Sequence, residues 1–231
     1  MARATRKKPP KTPGDTAPEG PPAPDWAAAM EQQVLDAALK LVPREGWTSL
    51  MTRNAGKAVG LSAGDTELLL PQGPADLAAL LSRRHDATAL AALGDPEGLK
   101  IRERIARGVA ARLEAACADE AAVRRLNGWF TLPQHMALGA RLAWESADRL
   151  WRWAGDTATD ENHYSKRMLL AGILSGALAL RFSAGAEAAK AFTDARIENV
   201  MAFEKWKATT SFRPSEIANR FAEALGRRRY Q

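Results

Sequence analysis

The chain has a single cysteine, Cys117, among its 231 residues. One cysteine excludes an internal disulfide framework and a cysteine-based zinc site, and it is typical of a protein from a reducing compartment. No segment reaches the roughly 20 uninterrupted apolar residues that a membrane-spanning helix needs. The longest apolar candidate, 168–180, is typical of a buried helix, and we expect no secretory signal because the N-terminal segment lacks an apolar core.

Motifs for catalysis and metal binding are also missing. The sequence has no phosphate-binding glycine loop, no HExxH motif and no nucleophile elbow. Of the three histidines only His163 follows an acid, Asp160, at a helical offset, whereas a di-iron bundle needs two Glu-x-x-His units on separate helices. We therefore expect no metal, no cofactor and no catalytic residues, and we interpret the protein as a non-enzyme.

The net charge of +6 is concentrated in two terminal segments. Residues 1–25 carry five Lys or Arg against three acids, and residues 204–231 carry seven against three, so the body between them is neutral. Attraction to nucleic acid or to anionic lipid would therefore begin in these segments. Seven of the 13 prolines also lie within 1–25, which predicts a disordered basic arm there.

From Trp26 onward the hydrophobic period is helical, and strand patterns are absent. The sequence therefore predicts an all-α fold. The first helix is expected to end near Pro43 and Gly46. The further helices are predicted at about 49–59, 64–70, 75–93, 98–118, 119–128, 134–154, 158–182, 186–207 and 214–226. We divide the chain into the arm 1–25, an N-terminal part 26–92, a helical part 93–207 and a C-terminal helix and tail 208–231.

The segments 33–42, 45–47 and 54–62 resemble the N-terminal helix-turn-helix of TetR-type repressors, which implies a TetR-like helical bundle and a homodimer. The recognition helix would cover 63–70, where Asp65 and Glu67 are present and Arg and Lys are absent. Because phosphate contacts need cations, we expect a vestigial helix-turn-helix and no nucleic acid partner. A TetR-type transcriptional regulator that responds to a lipid is the alternative, favoured by Arg53, Lys57 and the basic arm.

The stretch 151–170, with its Gly-Asp-x-x-Thr-Asp-x-Asn-x-Tyr-x-x-Arg pattern, resembles the ubiquinone-biosynthesis accessory family, the Coq-nine proteins, and 192–201 resembles the next helix of that family. The resemblance implies a non-catalytic protein that holds an isoprenoid quinone intermediate or a phospholipid. It also implies that the protein presents this lipid to the membrane-associated di-iron demethoxyubiquinone hydroxylase. An enzyme acting on isoprenoids is a minor alternative. The expected location is the inner membrane surface, on the cytoplasmic side in a bacterium or on the matrix side in a mitochondrion.

The helix predicted at 158–182 has four polar and aromatic residues near its start that share one arc of about 100°. They are Asp160, His163, Tyr164 and Arg167. Tyr and Arg are favoured interface anchors, so this arc suits protein binding, although a solvated first helical turn is the alternative. The resemblance implies that the hydroxylase-binding patch lies here, and that His163 replaces a tryptophan found in many relatives. The predicted partner-binding residues are Asp148, Trp151, Asp160, His163, Tyr164 and Arg167.

Beyond Arg167 the same helix is apolar on all sides, and Gly172 and Gly176 would let another helix approach closely. This pattern indicates either a buried core helix, as at a dimer interface, or a helix with one side lining a lipid cavity. The predicted lipid-binding residues are Trp129, Phe130, Met136, Leu169 and Ile173.

The C-terminal segment combines an apolar stripe with basic flanks. Such a helix is typical of proteins that lie on an anionic bilayer, although it could instead pack on its own domain. The predicted membrane-binding residues are Phe212, Arg213, Ile217, Arg220, Phe221 and Leu225.

Overall fold

The computed structural model of the chain describes residues 26–157 and 161–209. Within these ranges the chain forms nine α-helices and no strand, which confirms the all-α prediction. The helices are α1 (Trp26–Glu45), α2 (Ser49–Ala58), α3 (Ala63–Leu69), α4 (Pro74–Leu93), α5 (Ile101–Cys117), α6 (Glu120–Phe130), α7 (Pro133–Trp153), α8 (Glu161–Ser183) and α9 (Ala186–Thr209). The predicted arm, Asp160 and all six predicted membrane-binding residues lie outside the described residues.

Helix α1 ends at Glu45, between Pro43 and Gly46 as predicted. Pro43 lies inside the last turn of the helix, where its missing N–H costs the single hydrogen bond that the Leu39 carbonyl would otherwise accept. Gly46 follows the helix, its φ of 69° favours glycine, and its N–H donates to Val42 O at 2.9 Å.

Two short helices, α2 and α3, occupy the positions of the predicted helix-turn-helix. Helix α3 begins with a capping box, because Ser62 Oγ accepts from the Asp65 N–H at 3.1 Å and the Asp65 carboxylate accepts from the Ser62 N–H at 3.3 Å. The two helices pack closely, since a Cβ at Gly56 would overlap Thr66 Oγ1. The TetR-like arrangement of the whole bundle stays a prediction.

Two apolar cores organise the described helices. The first contains residues of α1, α2 and α4 together with the end of α5 and helix α6, among them Leu35, Leu81 and Leu126. It therefore spans the predicted boundary between 26–92 and 93–207. The second core joins α5, α7, α8 and α9, with Leu150 and Leu174 among its residues.

Helices α8 and α9 approach each other at the second of the two predicted glycines. A Cβ at Gly176 would lie 2.7 Å from Phe192 Cζ, so glycine lets the Phe192 ring pack directly on α8. A Cβ at Gly172 would meet nothing within 4 Å, and this glycine therefore makes no close helix contact among the described residues.

Candidate functional site

A cavity of about 440 Å³ lies among helices α4 to α8, and we call it the central cavity. Each of these helices contributes apolar side chains to its wall, including Leu81, Leu113, Leu126, Leu142 and Leu174. Leu81 and Leu126 belong to the first core, whereas Leu113 and Leu174 belong to the second. The cavity thus occupies the junction of the two cores. Small-molecule sites are usually concave and mostly apolar in this way.

The central cavity has an open end and a buried end. At the open end, Met136 is 57% exposed, and the lining residues Thr131, Ser175 and Ala179 are also exposed. At the other end the lining includes His85, which is only 4% exposed. A ligand could therefore enter between α6, α7 and α8 and reach a site shielded from water.

Phe130, at the end of α6, forms part of the cavity wall next to α7. A Cβ at position 139 would lie 3.0 Å from Phe130 Cγ, so Gly139 lets the Phe130 ring rest against the α7 backbone. Both residues line the cavity. The glycine therefore shapes the wall by admitting an aromatic ring.

Polar side chains from α4, α5 and α7 line the buried end, which we call the polar end. Arg112 Nε–H donates to Asp86 Oδ1 at 2.6 Å, and Ser146 Oγ–H donates to the same oxygen at 2.7 Å. Arg112 Nη2 lies 3.3 Å from Ser82 Oγ, and Arg149 Nη1 lies 3.4 Å from Asp86 Oδ2. Asp86 is 3% exposed, and the two guanidinium groups offset the cost of burying its charge.

His85 at the polar end is paired with a residue outside its own helix. Its Nε2 lies 2.8 Å from the Oδ2 atom of Asp119, which precedes α6. Burial lowers the pKa of His85 and the nearby Arg112 lowers it further, while the hydrogen bond to Asp119 opposes both effects without cancelling them. The imidazole is therefore neutral at pH 7. Because a carboxylate can only accept, its proton resides on Nε2.

A second candidate site lies on the outer face near the start of α8, and we call it the α8 patch: Trp144, His163, Tyr164, Met168 and Leu169. Tyr164, Met168 and Leu169 are 63%, 67% and 46% exposed. The Tyr164 ring lies 5.1 Å from the His163 ring and 6.1 Å from the Trp144 ring, measured between centroids. An exposed phenol with apolar neighbours is suited to contact another protein.

Arg167 is not part of this exposed surface, contrary to the prediction that it shares one arc with Tyr164. It is 2% exposed. Its Nε–H donates to Asp148 Oδ1 at 2.6 Å, and its Nη1 donates to Asp156 Oδ2 at 3.0 Å. The reason is that Arg167 and Leu170 occupy the edge of α8 that faces α7 and the second core. Arg167 therefore supports the α8 patch from beneath.

Asp148 and Trp151 also hold α7 and α8 together. Besides Arg167, the Asp148 carboxylate pairs with Arg152 at 2.7 Å, so its oxygens are already engaged. Trp151 is half-buried, its Nε1–H donates to Lys166 O at 3.1 Å, and Lys166 Nζ lies 5.4 Å from the Trp151 ring. The structure thus brings Asp148, Trp151 and Arg167 together as an internal support. Of the predicted partner-binding residues, His163 and Tyr164 lie in the α8 patch.

The same support sets the ionisation of Asp156. Burial alone would raise the pKa of this carboxyl, but hydrogen bonds from Lys166 at 2.8 Å and Arg167 at 3.0 Å outweigh that effect. The pKa of Asp156 is therefore lowered below its ordinary value of 3.8. Asp156 is charged at neutral pH, as its two cationic partners require.

Only two of the five predicted lipid-binding residues, Phe130 and Met136, line the central cavity. Trp129 instead stacks on His135, with ring centroids 3.5 Å apart, and packs against the first core. Leu169 lies in the α8 patch, because it occupies the exposed side of α8. Ile173 is buried in the second core, 8% exposed. These three residues do not line the cavity.

No motif in the sequence pointed to the polar end. His85 has no acid at a helical offset in the sequence, and its partner Asp119 is 34 residues away. Arg112 and Asp86 are 26 residues apart. Single polar residues within amphipathic helices give no local signal for such long-range pairs. A buried acid such as Asp86 becomes recognisable only when its neighbours are known.

Two further features of the described residues bear on function. They contain no group of three or more His, Cys, Asp or Glu side chains that could hold a metal ion. None of the helices in this part of the chain is both long enough and apolar enough to cross a membrane.

The fold and the cavity together define the class: an all-α protein with an apolar cavity that ends in a buried polar cluster. Residues 136–204, which cover nearly all of α7, α8 and most of α9, match the family model described as COQ9. The chain is also similar to proteins named ubiquinone biosynthesis protein. The resemblance to the Coq-nine family is thereby confirmed.

The curated relatives match over most of this chain but over only part of their own length. Ubiquinone biosynthesis protein COQ9-A, mitochondrial, of Xenopus laevis is 28% identical over 179 residues, which cover 73% of this chain and 56% of the relative. The Bos taurus COQ9 protein is 30% identical and the Homo sapiens protein 25%, each over 152 residues, covering 62% of this chain and 48% of the relative. The chain therefore spans about half the length of the relatives it matches.

Proposed function

We propose that this protein is a non-catalytic, lipid-binding accessory protein of ubiquinone biosynthesis. It holds an isoprenoid quinone intermediate, or a phospholipid, in the central cavity and presents the intermediate to the membrane-associated demethoxyubiquinone hydroxylase. The names of the relatives support the pathway. By analogy with those mitochondrial relatives, the protein acts at the inner membrane, on the matrix side in a mitochondrion or on the cytoplasmic side in a bacterium. Membrane contact through residues 208–231 and a homodimeric state stay predictions.

The observation that carries the proposal is the open, apolar central cavity. Its volume of about 440 Å³ lies within the range of roughly 300–1,000 Å³ that is typical of ligand sites. Leucines from five helices form its wall, so an isoprenoid chain bound there would exchange water for apolar contacts. Each buried CH₂ group contributes about 0.8 kcal/mol to such binding.

Two of the cavity serines are hydrogen-bonded to charged residues. Ser82 Oγ lies within hydrogen-bond distance of Arg112, and Ser146 Oγ donates to Asp86. Among the described residues neither serine is hydrogen-bonded to His85. The polar end is arranged to bind a ligand.

Filling the cavity should remove the lipid. Ala143 lines the cavity on α7, and Ala137 lies exposed on the same helix without lining it. Ala143→Phe is expected to reduce the lipid that co-purifies with the protein by about tenfold or more, because the ring occupies the space of the isoprenoid chain. Native mass spectrometry and solvent extraction measure the bound lipid.

The matched control is Ala137→Phe, which adds the same ring outside the cavity and should leave the bound lipid unchanged. Circular dichroism checks that both variants keep the helical fold. Equal lipid content in the two folded variants would mean that the central cavity is not the lipid site.

Docking to the hydroxylase is assigned to the α8 patch. Tyr164 is exposed, Met168 and Leu169 extend the surface along α8, and Arg167 fixes the helix from beneath. Exposed aromatic residues on a rigid helix are frequent anchors of protein interfaces. His163 and Trp144 add aromatic surface beside Tyr164, in a segment that the COQ9 family model covers.

Removal of the Tyr164 side chain should weaken the complex. Tyr164→Ala is expected to raise the Kd for the purified hydroxylase by about 10- to 100-fold, as truncation of an anchor residue commonly costs 2 kcal/mol or more. Leu68→Ala on α3 is the control, because Leu68 is 82% exposed and lies outside the patch. Biolayer interferometry with the hydroxylase in nanodiscs measures both constants. An unchanged Kd for Tyr164→Ala would place the docking surface elsewhere.

A further inference from the structure

We propose that the polar end of the central cavity is a headgroup site that distinguishes the redox state of its ligand, binding a hydroxylated aromatic head in preference to the corresponding quinone. The residue that makes the distinction is His85, and Arg112 binds a second oxygen of the head. This inference rests on the proposed function only in taking the cavity as the lipid site. The ligand class is an aromatic alcohol, a phenol or quinol, with an apolar tail.

The hydrogen-bonding state of His85 is the first support. Asp119 holds the Nε2 proton at 2.8 Å, so Nδ1 of the neutral ring is a bare acceptor. Nδ1 makes no hydrogen bond with the described residues, although His85 is 4% exposed and lines the cavity. An unpaired acceptor on the cavity wall can accept from a donor, and a ligand hydroxyl group supplies one. A quinone carbonyl is itself only an acceptor and leaves Nδ1 unpaired.

The second support is the orientation that the cavity imposes. His85 and Ser146 are 4% and 3% exposed, whereas Met136 at the other end is 57% exposed. The charged side chain and the histidine of the lining therefore lie at the buried end, and the wall between there and the opening is mostly apolar. An amphipathic ligand matches this change in polarity along the cavity when its polar head lies at the buried end and its apolar tail points toward the opening.

The charge balance at the polar end favours an uncharged head. Asp86 and Asp119 carry two negative charges, and Arg112 and Arg149 carry two positive ones, while burial keeps His85 neutral. Arg112 is committed to Asp86 at 2.6 Å. An anionic phosphate would find no uncompensated cation here and would lose its hydration, which is costly in a buried site. A neutral phenol or quinol avoids this penalty.

Arg112 can still contribute to a neutral head. A guanidinium group has five N–H donors, and two of its nitrogens are used by Asp86 and Ser82. A remaining N–H can donate to a ligand hydroxyl or carbonyl oxygen. Arg112 can therefore donate to the quinol and to the quinone alike. The discrimination depends on His85, because a site that hydrogen-bonds a ligand hydroxyl group strongly rejects an analogue that lacks it.

A matched pair of ligands tests the proposal. The full-length protein is titrated anaerobically with decyl benzoquinol and with decyl benzoquinone, which share a tail and differ in two hydrogens. We expect the wild-type protein to bind the quinol about tenfold more tightly. In His85→Phe the preference for the quinol should vanish. His135→Phe, at a histidine that stacks on Trp129 and does not line the cavity, should keep the wild-type ratio.

A second variant covers the case in which His85→Phe does not fold. Asp119→Asn keeps the shape of the partner but lets the amide donate to Nε2, which moves the ring proton to Nδ1 in part of the population. The quinol preference should therefore fall by several-fold. A ratio unchanged from wild type in this variant would contradict the role assigned to the Asp119–His85 pair.

The remaining outcomes separate this inference from the proposed function. If the wild-type protein binds quinol and quinone equally, the redox distinction is wrong while lipid binding stands. If it binds neither but binds phosphatidylcholine, the headgroup assignment is wrong and the cavity is still a lipid site. If no ligand binds, both proposals fall.

Discussion

Arg167→Met is expected to lower the free energy of unfolding by about 3 kcal/mol, because it removes the cation shared by two buried or half-buried carboxylates. The Arg167 side chain is 2% exposed, and those of Asp156 and Asp148 are 6% and 20% exposed. Loss of one partner from a buried ion pair costs about 3–5 kcal/mol. The lower end applies because Lys166 still pairs with Asp156 and Arg152 still pairs with Asp148. Urea unfolding followed by circular dichroism measures the change.

Arg152→Met provides the comparison. Arg152 pairs with the same Asp148 carboxylate at 2.7 Å, but its side chain is 71% exposed. Exposed ion pairs contribute about 0–1 kcal/mol, so this variant should unfold close to the wild type. Similar losses of unfolding free energy in Arg152→Met and Arg167→Met would show that burial does not determine how much Arg167 contributes to stability.

The loss of unfolding free energy in Arg167→Met should become smaller as the pH falls. The lowered pKa of Asp156 stabilises the folded protein above the ordinary carboxyl value of 3.8, and this contribution is lost as the pH falls through the folded-state pKa. The difference in stability between the wild type and Arg167→Met should therefore narrow when the urea titrations are repeated below pH 4. A constant difference from pH 7 to pH 3 would contradict this account of the Asp156 carboxyl.

Trp47→Ala is expected to cost about 3–5 kcal/mol, the usual range for truncating a buried aromatic residue. Trp47 follows α1, is 4% exposed and belongs to the first core. Its Nε1–H donates to Ala122 O at 3.2 Å, across 75 residues of sequence, and so ties the α1–α2 turn to α6. Thermal unfolding and urea titration both report the loss.

Trp26→Ala is the control, since Trp26 is 64% exposed at the start of α1 and should contribute less than about 0.5 kcal/mol. Trp47→Phe adds a second comparison. It keeps an apolar ring in the core and removes the donor to Ala122 O, so its cost should be about 1–2 kcal/mol. A loss for Trp47→Ala no larger than that for Trp26→Ala would show that the two parts of the first core are not coupled through Trp47.

The helices were predictable because their signals are local. The buried face of α1 repeats at helical spacing in the sequence, and the Ser62–Asp65 capping box marks the start of α3 within four residues. The end of α1 lies where Pro43 and Gly46 predicted it, because Gly46 follows the last turn with a positive φ. Local chemistry thus determines where elements begin and end to within a few residues.

The candidate sites were less predictable, because they depend on the rotation of each helix about its axis. Helical spacing predicts Tyr164 and Arg167 as neighbours on one arc, but Tyr164 is 63% exposed and Arg167 is 2% exposed. A rotation of α8 by a fraction of a turn decides which residue is exposed. The polar end depends on pairs such as His85 with Asp119, which no local spacing reveals. Phe130 and Met136 were predicted as apolar wall residues, and both line the cavity.

Helix α8 is continuous from Glu161 to Ser183, so it runs from the α8 patch to the central cavity. Tyr164 near one end lies in the surface assigned to the hydroxylase, while Leu178 near the other end forms part of the cavity wall. Fourteen residues of α-helix separate them, about 21 Å along the axis. If loading of the cavity tilts α8, the tilt changes the presentation of Tyr164. By thermodynamic linkage, a hydroxylase that binds more tightly to the lipid-bound orientation of α8 would raise the affinity of the protein for the lipid by the same factor.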